Sequence, residues 1–229
     1  TKQGGGFNVK SPEFAGLEAM KYISEYYQEF EDAVFAQDGE GNYTGYNAET
    51  GKYYYEYCDI DSLVKTFLIQ ELSLNGDGFL KSFYFYKNQD SIMYAGPVWD
   101  MDMTCGSSWS RINSPESSGY YYLADALRKI PGFMERVDQY YDDVFSSLAN
   151  GLIGENGKIA EYAGKVSASA EMNSFLWPYV RMGSPAEAEH LWPAGTTYTD
   201  VVEKLTSWLS KRLVKLDVMY GDGTLHIEH

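Results

Sequence analysis

The strongest constraint on the fold of this chain is an amphipathic helix that runs directly into a β-hairpin. The apolar stripe of the helix recurs every three or four positions and consists of Ile60, Leu63, Val64, Phe67, Leu68 and Leu72. Asp59 or Asp61 is a suitable N-cap, and the pair "NG" at positions 75–76 ends the helix. The segments "SFYFYK" and "SIMYAGPVW" then flank "NQD", which predicts a hairpin with apolar or aromatic residues on both faces that is largely buried.

Further helical patterns dominate the rest of the chain. An amphipathic helix is predicted from Pro12 onward, with its stripe at Leu17, Met20, Ile23, Tyr27, Phe30 and Val34. The second half predicts three helices: "ALRKIPGFMERVDQYYDDVFSSL", "GKIAEYAGKVSASAEMNSF", and a last one that begins near Asp200 with a capping box from Asp200 to Glu203 and ends at Gly221. These patterns predict an α+β fold that is mostly α.

No repeat or low-complexity linker divides the sequence. We therefore predict one domain over residues 1–229, with residues 222–229 as a disordered tail.

The net charge of the chain argues against several classes of binding partner. The chain carries 18 Lys and Arg residues against 33 Asp and Glu residues, a formal net charge of −15, which argues against nucleic acid or an anionic membrane surface as a partner.

Cys58 and Cys105 are the only cysteines and lack zinc-ligand spacing, so they form either one disulfide or two free thiols. The 21 tyrosines together with the acidity indicate a secreted or cell-surface bacterial protein.

Three aspartates lie at the two ends of the predicted hairpin. Asp77 precedes its first strand, while Asp100 and Asp102 follow its second strand in "GPVWDMDM". Like charges in such a cluster cost free energy unless a cation or a proton resolves them. Protein kinases place a catalytic aspartate before a short hairpin and a magnesium-binding aspartate after it, so this order is consistent with phosphoryl transfer.

One further carboxylate falls inside the apolar stripe of the helix that precedes the hairpin. Glu71 lies in the middle of that stripe, and a buried carboxylate must be paired or hydrogen-bonded. Glu71 is either an acceptor for the backbone N–H groups of the following turn or an anchor for the loop that carries Asp77. These two interpretations are compatible.

The segment Asp59 to Gly106, "DIDSLVKTFLIQELSLNGDGFLKSFYFYKNQDSIMYAGPVWDMDMTCG", resembles the core of the CotH (spore coat protein H) kinase family. That family shares a helix ending in "E-L-x-x-N-x-D", an "S-x-Y-x-Y-K" strand and a "GPVWDFDL-x-x-G" segment. Looser similarity at "VKSPE", "FEDAV" and "WLSKRLVKLDVMYG" extends the resemblance over most of the chain.

The resemblance implies a role for each of these site residues. Asp77 matches the catalytic aspartate that orients or deprotonates the acceptor hydroxyl, and Asp100 matches the metal-binding aspartate, with Asp102 as a further ligand. Ser82 occupies the position where ordinary kinases place the asparagine that binds a second magnesium ion. Lys81 would approach a phosphate of the nucleotide. Structural support is implied for two further residues, Glu71 and Asn75.

The resemblance also implies the cofactors, the substrate and the extent of the fold. ATP and Mg²⁺, or Mn²⁺ in its place, would serve transfer of the γ-phosphoryl group to Ser or Thr of a protein substrate. The glycines at positions 4–6 lack the spacing of a nucleotide-covering loop, and Lys10 precedes a helix rather than following such a loop. We therefore expect a C-terminal kinase lobe that is weakly active or inactive in isolation.

Other functions remain open from the sequence. A non-catalytic binding or scaffolding module of a secreted, cellulosome-type protein would use the abundant tyrosines to contact other modules of the larger protein or carbohydrate. Glycoside hydrolysis by Asp77 and Asp100 is a third hypothesis. In the simplest interpretation the aspartates are loop caps without a ligand, and Trp99 packs in the core.

Overall fold

A computed structural model describes residues 1–75, 77–79, 81–101, 104–106, 122–177 and 196–221. The helices are α1 (Leu17–Val34), α2 (Ile60–Ser73), α3 (Leu123–Leu127), α4 (Pro131–Tyr140), α5 (Ser146–Asn150), α6 (Lys158–Leu176) and α7 (Tyr198–Tyr220). The strands are β1 (Tyr46–Asn47), β2 (Lys52–Tyr53), β3 (Phe85–Lys87) and β4 (Met93–Ala95), paired as two short antiparallel hairpins. The expected α+β, mostly α class is confirmed.

The chain forms two compact units. The first comprises Thr1–Phe67, Asp77–Asp100 and Gly119–Val137, and the second comprises Leu68–Gly76, Met101–Ser118 and Asp138–His229. The boundary falls within α2 and within α4, so each of these helices contributes residues to both units. The single-domain interpretation of the sequence stays a prediction.

The core of the first unit is built from aromatic rings. Phe67 of α2 packs edge-on against Phe133 of α4 with ring centroids 5.7 Å apart, and Phe30 of α1 packs edge-on against Phe85 of β3 at 6.0 Å. Such pairs stabilise a core beyond the area they bury. The stripe predicted for α1 is only half correct, because Leu17 at its start is exposed while Phe30 and Val34 at its end are buried.

The β3–β4 hairpin is fastened to the start of α2. Asp59 donates its backbone N–H to the carbonyl of Met93, and the N–H of Ala95 donates to Ser62 Oγ at 3.0 Å. Asp59 is also the cap of α2, since its Oδ1 accepts the N–H of Ser62 at 2.7 Å. The hairpin is therefore held by the same residues that begin the helix.

The prediction that this hairpin is largely buried is only partly correct. Tyr86 lies opposite Tyr94 in the register, their rings stack at 5.3 Å, and the side chain of Tyr86 is exposed. Of the residues in these two strands, only Met93 and Ala95 are buried. A phenol ring carries a polar hydroxyl, so an apolar-looking run that is rich in tyrosine does not require burial on both faces.

The segment predicted as one helix from Ala126 is divided into three. Helix α3 ends at Leu127, and α4 begins at Pro131, which lacks the N–H that helix continuation requires but fits the first position of a new helix. A single π-helical turn at Tyr141–Phe145 joins α4 to α5. In the described part of the chain, no helix is long and apolar enough to span a membrane.

Helix α7 begins earlier than its sequence pattern suggests. The N-cap is Thr197, whose hydroxyl accepts the N–H of Asp200 while the Asp200 carboxylate accepts the N–H of Thr197 at 2.7 Å. The box predicted from Asp200 to Glu203 is therefore wrong by one helical turn, because both pairs have residue types that suit a capping box. The predicted end of the helix at Gly221 is confirmed.

Replacement of Thr197 distinguishes the observed N-cap at Thr197 from the predicted one at Asp200. Thr197→Ala removes an acceptor for an N–H of the first turn, so we expect it to lower the free energy of unfolding by about 1 kcal/mol in urea titration. Glu203→Ala is the matched control and should change it by less than about half that amount. A larger loss for Glu203→Ala than for Thr197→Ala would contradict the observed cap.

Candidate functional site

Asp77 opens a short turn that also carries Lys81 and Ser82. The carbonyl of Asp77 accepts the N–H of Lys81 at 3.0 Å and that of Ser82 at 3.2 Å, so the backbone of Lys81 and Ser82 folds back onto Asp77. Lys81 Nζ lies 3.7 Å from Asp77 Oδ2, and both side chains are substantially exposed. The carboxylate of Asp77 is thus accessible to solvent and has a cation beside it.

A side-chain hydrogen bond joins this turn to the residue that follows the hairpin. Ser82 Oγ donates to Asp100 Oδ2 at 2.9 Å; the serine is buried and the aspartate is exposed. The pairing of the two strands brings Ser82 close to Asp100, because Phe85 pairs with Ala95 and the N–H of Gly96 donates to the carbonyl of Tyr84 at 2.8 Å. Both chain ends of the hairpin therefore emerge on one side.

The backbone of Asp100 is in the left-handed region, with φ of 63°. That region costs an L-residue roughly 1–2 kcal/mol, although aspartate tolerates it better than most residues. Strained backbone at an exposed polar residue is more frequent at functional sites than elsewhere. The strain at Asp100 therefore suggests that its carboxylate serves a purpose other than folding.

The side chains of this turn suit a hard divalent cation. The carboxylates of Asp77 and Asp100 and the hydroxyl of Ser82 are oxygen donors, and Mg²⁺ is commonly held by one or two carboxylates together with water and substrate phosphates. Asp102 lies outside the described residues. Within the described ranges, no group of three or more His, Cys, Asp or Glu side chains is placed to hold a metal ion. A site here would therefore depend on the phosphates or on Asp102.

Trp99 does not pack in the core, contrary to the sequence-based expectation. Its side chain is 58% exposed, and its ring meets that of Tyr84 edge-on with centroids 6.4 Å apart. Burial of an isolated aromatic residue depends on which elements cover it, which its own sequence neighbours do not specify. An exposed indole therefore lies next to Asp100 in the chain.

The two residues predicted as structural support lie in the second unit. The carboxylate of Glu71 has no exposure and accepts hydrogen bonds from Arg212 and Tyr220 of α7. Asn75 is buried and donates from Nδ2 to Met101 Sδ at 3.3 Å. The expectation that Glu71 is a buried carboxylate with partners is confirmed.

Sequence reasoning missed Arg212 and Tyr220, although a signal was present. Arg212 falls within the apolar stripe of α7, among the buried residues Trp208, Leu209, Leu213 and Leu216. This is the same anomaly that singled out Glu71 in α2, with the opposite sign of charge. Two opposite charges that each interrupt an apolar stripe are expected to pair, since burial of either alone is costly.

Neither cysteine has the character of a metal ligand or a reactive nucleophile. Both are free thiols, so the disulfide alternative is not realised. Burial raises the pKa of the Cys58 thiol far above its usual value, and burial also raises the pKa of Cys105. Both side chains are therefore neutral thiols at ordinary pH, whereas metal binding requires the thiolate.

The backbone strain at Asp100 is testable by comparing two truncations. Asp100→Gly and Asp100→Ala both lose the hydrogen bond from Ser82, but only glycine adopts positive φ freely. We expect the glycine variant to be more stable than the alanine variant by about 1 kcal/mol in urea titration. The same pair at Asp90, in the hairpin turn, is the control and should show no advantage for glycine. Equal stability of the two Asp100 variants would contradict the strain.

Comparison with known proteins assigns the chain to a family. The sequence model of the family described as "CotH kinase protein" matches residues 8–216, which is most of the chain. No curated protein and no solved structure matches the chain significantly. The matched region includes the helix, the hairpin and the turn that carries Asp77, Lys81 and Ser82. The chain therefore belongs to the CotH kinase family.

Proposed function

We propose that this chain carries the catalytic half of an atypical protein kinase site, which transfers the γ-phosphoryl group of ATP to Ser or Thr of a protein substrate. Family membership supports a kinase-like function in general. The observation that carries the specific proposal is the hydrogen bond from Ser82 to Asp100. It joins the turn that begins at Asp77 to the carboxylate of Asp100, which follows the hairpin. In protein kinases a catalytic aspartate likewise precedes a short hairpin and a metal-binding aspartate follows it.

In the proposed mechanism, Asp77 is the catalytic base. Its exposed carboxylate accepts the proton of the substrate hydroxyl as that oxygen bonds to the γ-phosphorus, while the bond from the γ-phosphorus to the bridging oxygen breaks and ADP leaves. Asp100 would hold Mg²⁺ or Mn²⁺, with Asp102 and Ser82 as candidate further ligands. A cation held there would offset the negative charge of the phosphates.

Lys81 and Ser82 have supporting roles in this proposal. Lys81 Nζ lies near Asp77 and extends into solvent, so it is placed to contact a phosphate oxygen when nucleotide binds. Ser82 fixes the rotamer of Asp100 through its hydroxyl hydrogen and retains lone pairs for a cation. Substitution of the usual asparagine by serine leaves a weaker second metal position.

Secretion and the substrate protein remain predictions. The acidic surface favours a basic or neutral protein segment as the acceptor, because like charges would oppose the approach of an acidic one. Acceptor serines or threonines beside Lys or Arg are therefore the preferred substrates under this proposal. Localisation at the bacterial surface or outside the cell is inferred from composition alone.

Two carboxamide variants test the proposed roles of the aspartates. Asp77→Asn should lower phosphoryl transfer roughly 100-fold or more while ATP affinity stays within a few-fold, because the base is lost but the nucleotide contacts remain. Asp100→Asn should abolish metal-dependent ATP binding. The measurements are transfer of labelled phosphate and calorimetric titration with MgATP, on the 229-residue chain and on the longest natural chain that contains it.

Asp90→Asn is the matched control, because Asp90 is an exposed aspartate in the hairpin turn and should have no effect. Absence of metal-dependent ATP binding in every wild-type chain would refute the proposal. Unchanged transfer in Asp77→Asn would refute the catalytic role of that residue alone.

A group of exposed tyrosines favours a second candidate function, that of a binding module for protein or carbohydrate. Tyr46, Tyr53 and Tyr55 are 38%, 42% and 45% exposed, and the rings of Tyr53 and Tyr55 stack at 5.2 Å. Exposed aromatic clusters mark contact surfaces more often than isolated rings do. Under this alternative, Tyr53→Ala would abolish binding of a partner protein or oligosaccharide, and Asp77→Asn would leave that binding unchanged.

A further inference from the structure

The end of α2 is held by a fully buried ion pair from the last helix. The side chains of Glu71 and Arg212 both have zero exposure, and Arg212 Nη2 lies 3.2 Å from Glu71 Oε2. Tyr220, two turns further along α7, donates its hydroxyl to the same oxygen at 3.3 Å. Desolvating two charges is expensive, and an apolar pair of similar volume often stabilises a protein equally well. Stability alone therefore does not account for this choice of residues.

Arg212 makes a second contact, which an apolar residue cannot replace. Its Nε donates to the backbone carbonyl of Glu71 at 2.9 Å, and this carbonyl also accepts the N–H of Leu74 at 3.2 Å. The C-terminal carbonyls of a helix lack partners within the helix, and a cation there also favours the helix dipole. One guanidinium thus binds both the side chain and the backbone of the last helical turn.

The turn that follows Glu71 is closed in an unfavourable conformation. Leu74 has φ of 52°, a region that usually requires glycine, and the N–H of Asn75 donates back to the carbonyl of Gln70 at 3.1 Å. Leu74 is completely buried, so its packing offsets part of that backbone cost. A strained turn persists only where its surroundings over-determine it.

This turn is bound to the segment that follows the hairpin. Asn75 donates to Met101 Sδ, and the carbonyl of Ser73 accepts the N–H of Cys105 at 2.9 Å. Asp77 lies two residues after Asn75, and Asp100 lies one residue before Met101. The two loops that carry the proposed catalytic and metal-binding aspartates therefore continue from residues that are hydrogen-bonded to each other.

We propose that Arg212 is a positioning residue for the kinase site. By binding both the carboxylate and the carbonyl of Glu71, it fixes the turn 73–75 and, through the bonds of that turn to Met101 and Cys105, the starting points of both aspartate loops. The catalytic role of those loops rests on the proposed function; the fixing of the turn does not.

Three variants separate positioning from simple stabilisation. Arg212→Met leaves the Glu71 carboxylate buried without its cation and should lower the melting temperature by roughly 10 °C. The double variant Glu71→Leu/Arg212→Met removes both charges and should recover most of that loss. The matched control is Tyr141→Phe, which removes a partly buried hydrogen bond to α7, the one donated to Asp217.

The deciding readouts are amide hydrogen exchange over residues 68–82 and binding of Mn²⁺ alone by calorimetry. In the double variant we expect exchange over residues 68–82 to rise about tenfold while residues 60–67 are unchanged, because the carbonyl of Glu71 has lost its Arg212 donor. We also expect the Mn²⁺ dissociation constant to rise roughly tenfold. Tyr141→Phe should alter neither readout selectively.

The possible outcomes are distinguishable. If the double variant melts at the wild-type temperature and its amide exchange over residues 68–82 is unchanged, the proposal is overturned. The ion pair would then contribute only to packing of the interior. Altered exchange with binding of neither Mn²⁺ alone nor Mn²⁺ with ATP, by the wild-type 229-residue chain and by the longest natural chain that contains it, would refute the proposed function while supporting the fixed turn. Altered exchange with unchanged Mn²⁺ affinity would overturn the link between this turn and the site.

Discussion

The buried carboxylate of Glu71 is the constraint around which the second unit is arranged. Glutamate at that position in an apolar stripe demands a cation and further hydrogen bonds, and α7 supplies both through Arg212 and Tyr220, more than 140 positions away in the sequence. The C-terminal end of α2 is consequently held by α7. Truncation within α7 would leave a buried charge at the base of the loop that leads to Asp77.

The parts of the fold that depend on local pattern were predictable. The apolar periods of α1, α2 and α7, together with the segment predicted as a helix at α6, gave helices close to the observed bounds, and the hairpin followed from two apolar runs around "NQD". The site followed in part from the same signals, because a hairpin brings its two ends together and so brings Ser82 to Asp100. Catalytic and metal-binding roles within it rest on resemblance rather than on pattern.

The remaining features depend on partners that local sequence does not name. The cap of α7 was placed one turn too late because Thr197–Asp200 and Asp200–Glu203 offer equivalent chemistry, and only the backbone path selects between them. Trp99 and Tyr86 are exposed although each belongs to an apolar or aromatic run, since burial is decided by which elements pack over them. The Arg212–Glu71 pair could have been predicted, but only by noticing that a charged residue interrupts the apolar stripe of both α2 and α7, which are far apart in the sequence.

Most departures from local backbone preference lie close in the sequence to Asp77 and Asp100. Among the described residues, four non-glycine residues have positive φ, and three of them, Leu74, Asp100 and Cys105, flank the loops that begin and end the hairpin region. Glycine at each position would relieve the backbone, yet the chain keeps a packed leucine, an exposed carboxylate and a thiol there. Natural sequences break local rules mainly where function demands it. The presence of three of these four residues within a few sequence positions of Asp77 or Asp100 is therefore an argument, independent of family resemblance, for a functional site at this end of the hairpin.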